Sequence, residues 1–234
     1  MTRRSMPVIS VEECFNMIGF NRECLRLYLV TDRRIAGDRS IADIVRKAVS
    51  GGVTMVQLRE KECPTREFVA LGLELKRLLS QYRVPLIIND RVDVALACNA
   101  DGVHIGQSDM PYETARRLLG PDRIIGLSAE CMNDVIAANL LDVDYIGISP
   151  VFQTPTKNDT AEPFGLDGLR EAVRLSVHPT VAIGGMNKCT AAPVMECGTD
   201  GIAVVSAIMG AESPYNASRE LYENISKGID NSRK

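Results

Sequence analysis

The sequence has 234 residues, 45% of them apolar, and a formal net charge of −3. That length suits one large α/β domain, since a barrel of alternating strands and helices takes roughly 250 residues. The near-balanced charge gives no global pull toward nucleic acid or an anionic membrane, so any anion binding must be local. No apolar run approaches the ~18–20 residues of a membrane span. The basic start, Met1–Pro7, is not followed by the apolar stretch of a signal peptide, so a cytoplasmic protein is expected. The seven cysteines are scattered without a Cys-x-x-Cys pair, and there are only two histidines, His104 and His178. A zinc site is therefore not expected, and the cysteines read as small residues of a reducing compartment.

In chain order, residues 1–24 form an extension in which Ser10-Val11-Glu12-Glu13 resembles a capping box, predicting a short helix before the main domain. Apolar, β-rich runs then recur at 25–31, 54–58, 85–88, 102–105, 124–127, 145–148, 180–183 and 202–205. Their density in Val, Ile and Leu is that of parallel strands buried on both faces. Amphipathic helical patterns lie between them, as at 66–81, 132–141 and 166–175, and a last helix is predicted over 214–227. Eight strand–helix units predict an α/β fold: one (β/α)8 barrel, the TIM-barrel architecture, over 25–228. The short helical extension precedes it, and a frayed tail follows at 229–234. A small-Asp-Gly phrase recurs at Asp101-Gly102 and Asp200-Gly201, and it reads as a tight turn into a strand.

In such a barrel the site forms at the carboxyl ends of the strands. Strand two runs into Gln57-Leu58-Arg59-Glu60-Lys61, where the two-residue period puts Gln57, Arg59 and Lys61 on one side. Asn89-Asp90 follows strand three, Gly106-Gln107-Ser108-Asp109 strand four, and Ser128 strand five. Strand six leads to Thr154-Pro155-Thr156-Lys157, strand seven to Gly184-Gly185, and strand eight to Ser206. Singly, each has a plainer explanation. Asp90 and Asp109 could cap helices, Arg59 and Lys61 could be a solvated loop, and the glycines could be a bend. His104, inside an apolar run, reads as a hydrogen-bonded core residue, and His178 as a loop residue.

Together they describe one chemistry. Two carboxylates on neighbouring strand ends suit Mg²⁺, which binds through one or two carboxylates plus substrate phosphates. Arg59, Lys61 and Lys157 could offset a diphosphate. Gly184-Gly185 and Val205-Ser206 offer backbone N–H groups where barrels hold a phosphate. No Ser–His or Cys–His nucleophile stands out, so metal-assisted departure of a diphosphate fits better than covalent catalysis.

These segments, in this order, resemble the thiamine-phosphate synthase family. The resemblance runs from Leu27-Tyr28-Leu29-Val30-Thr31-Asp32 to Val205-Ser206-Ala207-Ile208 and includes Asp101-Gly102-Val103-His104-Ile105 and Ile183-Gly184-Gly185. It implies a transferase that condenses hydroxymethylpyrimidine diphosphate with a thiazole phosphate, carboxylated or not, giving thiamine phosphate and pyrophosphate. It also implies that Gln57, Arg59, Lys61 and Asn89, with Leu58 and Glu60 of the same segment, hold the pyrimidine diphosphate. Ser128 would meet the pyrimidine or its diphosphate. Asp90 and Asp109 would ligate one Mg²⁺. Thr154, Pro155, Thr156, Gly185, Val205 and Ser206 would hold the thiazole phosphate. Lys157 would stabilise the departing pyrophosphate, and with Arg59, Lys61 and Ser128 it makes up the implied catalytic set. The implied mechanism is dissociative: pyrophosphate leaves, the aminopyrimidine stabilises a methylene cation, and the thiazole nitrogen captures it. The loop 150–165 would serve as a lid.

The sequence departs from the family pattern at Ser149, where glycine is expected, at Glu130-Cys131, where a histidine is common, and at Arg91. Two other readings stay open at this point. One is a related thiazole tautomerase, which would need neither paired aspartates nor a diphosphate site but could use a histidine near Ser128, where the chain supplies none. The other is a barrel that only binds thiamine intermediates. The expected partners are small molecules, not nucleic acid or membrane; a barrel buries its core within one chain, so nothing obliges assembly, and a homo-oligomer through the outer helices stays open.

Overall fold

The eight apolar runs form eight short parallel strands that close on themselves in sequence order, β1 through β8. They are Leu27–Val30, Met55–Leu58, Leu86–Asn89, Gly102–Ile105, Ile124–Ala129, Tyr145–Ile148, Thr180–Ile183 and Gly201–Val204. The sheet closes where Leu27 pairs with Ile202 and Tyr28 with Ala203. A computed structural model describes residues 20–153 and 162–232, and the helix predicted near Ser10 lies outside them. The helices are α1 Arg33–Ala36, α2 Ile41–Ser50, α3 Thr65–Ser80, α4 Val92–Ala97 and α5 Tyr112–Leu119. They continue with α6 Met132–Ala138, α7 Gly165–Leu175, α8 Ala191–Met195, α9 Ser206–Met209 and α10 Pro214–Ser232.

Several boundaries differ from the sequence reading by a few residues, and two of them have a specific physical cause. Leu25 belongs not to β1 but to a 3-10 turn, Arg22–Leu25, because the Asn21 side chain accepts from the Glu23 N–H and caps it. The last helix does not fray at 229 but continues to Ser232. There Ile225 and Gly228 are buried along its face, and the Asn231 amide bonds Glu196 on the neighbouring α8 segment.

The strand alternation divides the core in two. Outward side chains such as Leu27, Leu29, Val56, Leu58 and Ile88 pack beneath the helices. Inward side chains, among them Tyr28, Val30, Met55, Ile87, Ile124, Tyr145 and Val181, fill the barrel interior. Phe20 reaches the amino-terminal end of this interior, its ring stacked on Tyr145 at 6.1 Å.

The amino-terminal rim is tied by one device used four times. The residue just before β2, β4, β6 or β8 donates its N–H to a carbonyl on the preceding strand, and its side chain accepts that same residue's N–H. Thr54 does this with Leu27, Asp101 with Leu86, Asp144 with Ile125, and Asp200 with Thr180. The side-chain bonds measure 2.8–2.9 Å. This refines the turn reading of the Asp-Gly phrases. A Cβ on Gly102 would lie 2.1 Å from the Ile124 carbonyl oxygen, and one on Gly201 1.8 Å from that of Leu25. The glycines are there because neighbouring backbone presses against them.

Asp101 also holds the Lys76 ammonium at 2.7 Å, with both side chains almost wholly buried. Asp101→Ala would leave that ammonium buried beside an unpaired Leu86 N–H. Removing one partner of a buried pair typically costs about 3–5 kcal/mol. Urea unfolding of the Asp101→Ala protein should show a loss of that size; a change below about 1 kcal/mol would mean that the pair is not what anchors this end.

Candidate functional site

At the carboxyl ends of the strands the barrel opens into a cavity of about 580 Å³. Gln57, Arg59, Lys61, Asn89, Asp90, Asp109, Ser128, Gly185, Val205 and Ser206 all line it. Leu58 and Glu60 do not. Leu58 is fully buried in the outer core, and the Glu60 carboxylate turns away to meet Arg33 at 2.9 Å. The alternation that aims Gln57, Arg59 and Lys61 inward aims these two outward, which corrects their assignment to the site. Thr154, Pro155, Thr156 and Lys157 lie outside the described residues.

The capping reading of the two aspartates does not survive. The helix after Asp90 begins behind Arg91 and the one after Asp109 behind Pro111, neither with a side-chain cap. Asp90 sits at φ 60°, the left-handed region, and its carboxylate meets the Lys61 ammonium at 2.5 Å. Asp109 folds back so that its carboxylate accepts the Gly106 N–H at 2.7 Å. Burial pushes the Asp109 carboxyl above its ordinary range, and the adjoining Asp90 carboxyl adds to the rise. Among the described residues there is no cluster of three or more His, Cys, Asp or Glu that could hold a metal. A cation here would therefore need oxygens from a ligand or water to complete its shell, which is the habit of Mg²⁺ rather than zinc.

Arg59 is fixed from behind. Its N–H donates to the Thr31 hydroxyl at 3.0 Å and its guanidinium meets Asp32 at 3.3 Å, while Asp32 also caps α1. Gly184 and Gly185 have φ of 95° and 71°, and a Cβ on either would strike Pro150 or Phe152 of the segment after β6. Bare backbone thus faces the cavity after β7. After β8, Ser206 opens α9, and Val205, Ser206 and Ala207 line the cavity, with the Ile208 and Met209 amides turned back to the Val205 carbonyl.

Sequence reasoning missed several lining residues: His104, Gln107, Gln153, Met186 and Asn187. Of these, Gln107 stood in a quoted polar segment, and its amide donates to the Ser128 carbonyl at 2.5 Å. His104 is buried and hydrogen-bonded, as expected, but its Nε2 lies 2.9 Å from the Ser128 hydroxyl. A histidine is therefore present beside Ser128 after all, brought there by β4–β5 pairing rather than by sequence neighbourhood. The other ring nitrogen meets the Tyr145 hydroxyl at 3.1 Å.

Comparison with known proteins places this geometry. A family model described as thiamine monophosphate synthase matches residues 27–208. A thiamine-phosphate synthase of Albidiferax ferrireducens is 55% identical over 87% of this chain and 93% of its own. One of Clostridium novyi is 49% identical over 84% of this chain and 96% of its own. The solved thiamine phosphate pyrophosphorylase of Pyrococcus furiosus superposes with a TM-score of 0.82 at 42% identity, covering 89% of this chain and 98% of that one. Residues 27–208, which carry the barrel strands and the rim around the two carboxylates, identify the chain as a member of the thiamine monophosphate synthase family.

Proposed function

We propose that the cavity condenses hydroxymethylpyrimidine diphosphate with a thiazole phosphate, releasing pyrophosphate and forming thiamine phosphate, with one Mg²⁺ on Asp90 and Asp109. The observation that carries the metal reading is the adjoining pair of carboxyls, one of them raised by burial and by its neighbour. A divalent cation would relieve that repulsion and, when bound, neutralise charge developing on the departing diphosphate.

The chain's own residues supply the rest. Arg59, pinned by Asp32, presents a guanidinium to the diphosphate at little entropic cost, because its rotamer is already chosen. Lys61 meets Asp90 on the cavity wall, where a diphosphate oxygen can share its ammonium. Gln57 and Asn89 receive the pyrimidine end, and Ser128 meets the pyrimidine or its diphosphate. Lys157 stabilises the leaving pyrophosphate. The amides around Gly185 and Ser206, with Thr154, Pro155 and Thr156, hold the thiazole phosphate, as backbone donors beside a helix start suit an anion. A cation left on the pyrimidine methylene would be quenched by water, so the segment 150–165 serves as the lid that excludes it.

The first test is product formation from both substrates with Mg²⁺ and again with a chelator. Thiamine phosphate should form only with the metal. Product that persists in chelator would remove the Mg²⁺ assignment, and isomerisation of the carboxylated thiazole phosphate alone would favour the tautomerase reading instead. Asp90→Asn tolerates the left-handed backbone, so it should keep the fold while lowering turnover by about a hundredfold or more, several kcal/mol of lost charge stabilisation. An unchanged rate would take Asp90 out of the metal site. Lys157→Ala should slow the single-turnover chemical step more than it weakens thiazole phosphate binding; a pure binding defect would move Lys157 to the other substrate.

A further inference from the structure

Beneath the cavity floor a file of polar side chains crosses the otherwise apolar barrel interior. The Gln57 amide Nε2 donates to the Tyr28 hydroxyl at 2.8 Å, and the Tyr28 and Tyr145 hydroxyls meet at 2.9 Å. Tyr145 meets His104 Nδ1 at 3.1 Å, and His104 Nε2 meets the Ser128 hydroxyl at 2.9 Å. Five residues from β2, β1, β6, β4 and β5 are thus joined end to end. Gln57 and Ser128 line the cavity, whereas both tyrosines are fully buried.

The file has a direction. Each phenol has a single proton to give. Because Gln57 donates to Tyr28, the Tyr28 proton goes to Tyr145 and the Tyr145 proton to His104 Nδ1. The remaining imidazole N–H, on Nε2, donates to Ser128. The Ser128 proton is then left for the cavity, and Gln57 is left with its carbonyl Oε1. Burial raises both phenols above their ordinary range, so each keeps its proton. Room for the file is built into the backbone. A Cβ on Gly126 would lie 2.1 Å from the Tyr145 ring and 2.6 Å from His104 Nδ1, and one on Gly147 would lie 3.1 Å from His104 Cε1.

We propose that this one-way chain fixes Gln57 as an acceptor and Ser128 as a donor toward the bound ring, making Tyr28 and Tyr145 positioning residues that select an aminopyrimidine over its oxo counterpart. An amino group gives a hydrogen where Gln57 accepts, and a ring nitrogen accepts where Ser128 gives. The oxo compound reverses both, with a carbonyl in place of the amine and an N–H in place of the ring nitrogen. A buried polar site discriminates strongly against a ligand that leaves its groups unpaired. The inference rests on the pyrimidine reading of the cavity given above.

The test is Tyr145→Phe, which keeps the ring against Phe20 and Tyr28 but removes the central hydroxyl, measured beside wild type with amino- and oxo-pyrimidine diphosphates. The ratio of the two kcat/KM values should fall at least about tenfold, while the KM for thiazole phosphate changes less than about twofold. Tyr28→Phe should show the same loss and serves if the first variant does not fold. An unchanged ratio in an active variant overturns the proposal, even where overall activity drops. A wild-type chain that turns over neither pyrimidine would overturn the pyrimidine reading itself, and this inference with it.

Discussion

The hydrogen bonds between β1 and β8 close a parallel sheet, and that closure sends every strand the same way around one axis. All carboxyl ends therefore meet on one ring. Residues as distant in sequence as Gln57 and Ser206 become neighbours of a single cavity without a loop having to carry them there. The ring's chemistry follows from what each strand end must do once its apolar side chains are spent. Asp90 does not cap α4; from a left-handed backbone its carboxylate meets Lys61 and adjoins Asp109 instead. Arg59 cannot relax into solvent because Asp32, occupied in capping α1, also holds it. Local structure and site chemistry use the same atoms.

Much of this was legible in the residues. Strands buried on both faces advertise themselves as short runs of Val, Ile and Leu, and eight of them in alternation with amphipathic stretches leave few alternatives. The inward set of Gln57, Arg59 and Lys61 was readable from the two-residue period. The same rule separates Leu58 and Glu60 from it, whereas family resemblance had carried the whole segment across. Whether Asp90 caps the helix beside it could not be read, because that turns on a backbone angle that non-glycine residues seldom adopt. Nor could the helix over 214–232 be measured by its pattern alone, since its last turn is held by α8 rather than by its own periodicity.

The polar file under the cavity was the least legible part. Tyr28 and Tyr145 are 117 positions apart, and each sits in a run that reads as ordinary core. Nothing local distinguishes an aromatic that only fills space from one whose hydroxyl completes a circuit. The signal that existed lay in the glycines: Gly126 and Gly147 interrupt strands where β-branched residues would pack well, and their missing side chains are occupied by Tyr145 and His104. His104 illustrates the same limit. No histidine lies near Ser128 along the chain, yet one lies against its hydroxyl in space.

The four feet at the opposite rim, Thr54, Asp101, Asp144 and Asp200, pair the strands as doublets: one with two, three with four, five with six, seven with eight. Each doublet is fastened below the level where any substrate could sit. Strand spacing is therefore set without reference to what the upper ring carries, and a side chain exchanged above leaves the fastening below unchanged. The fastening that spaces the strands and the side chains that meet a ligand thus sit at opposite ends of the same eight strands.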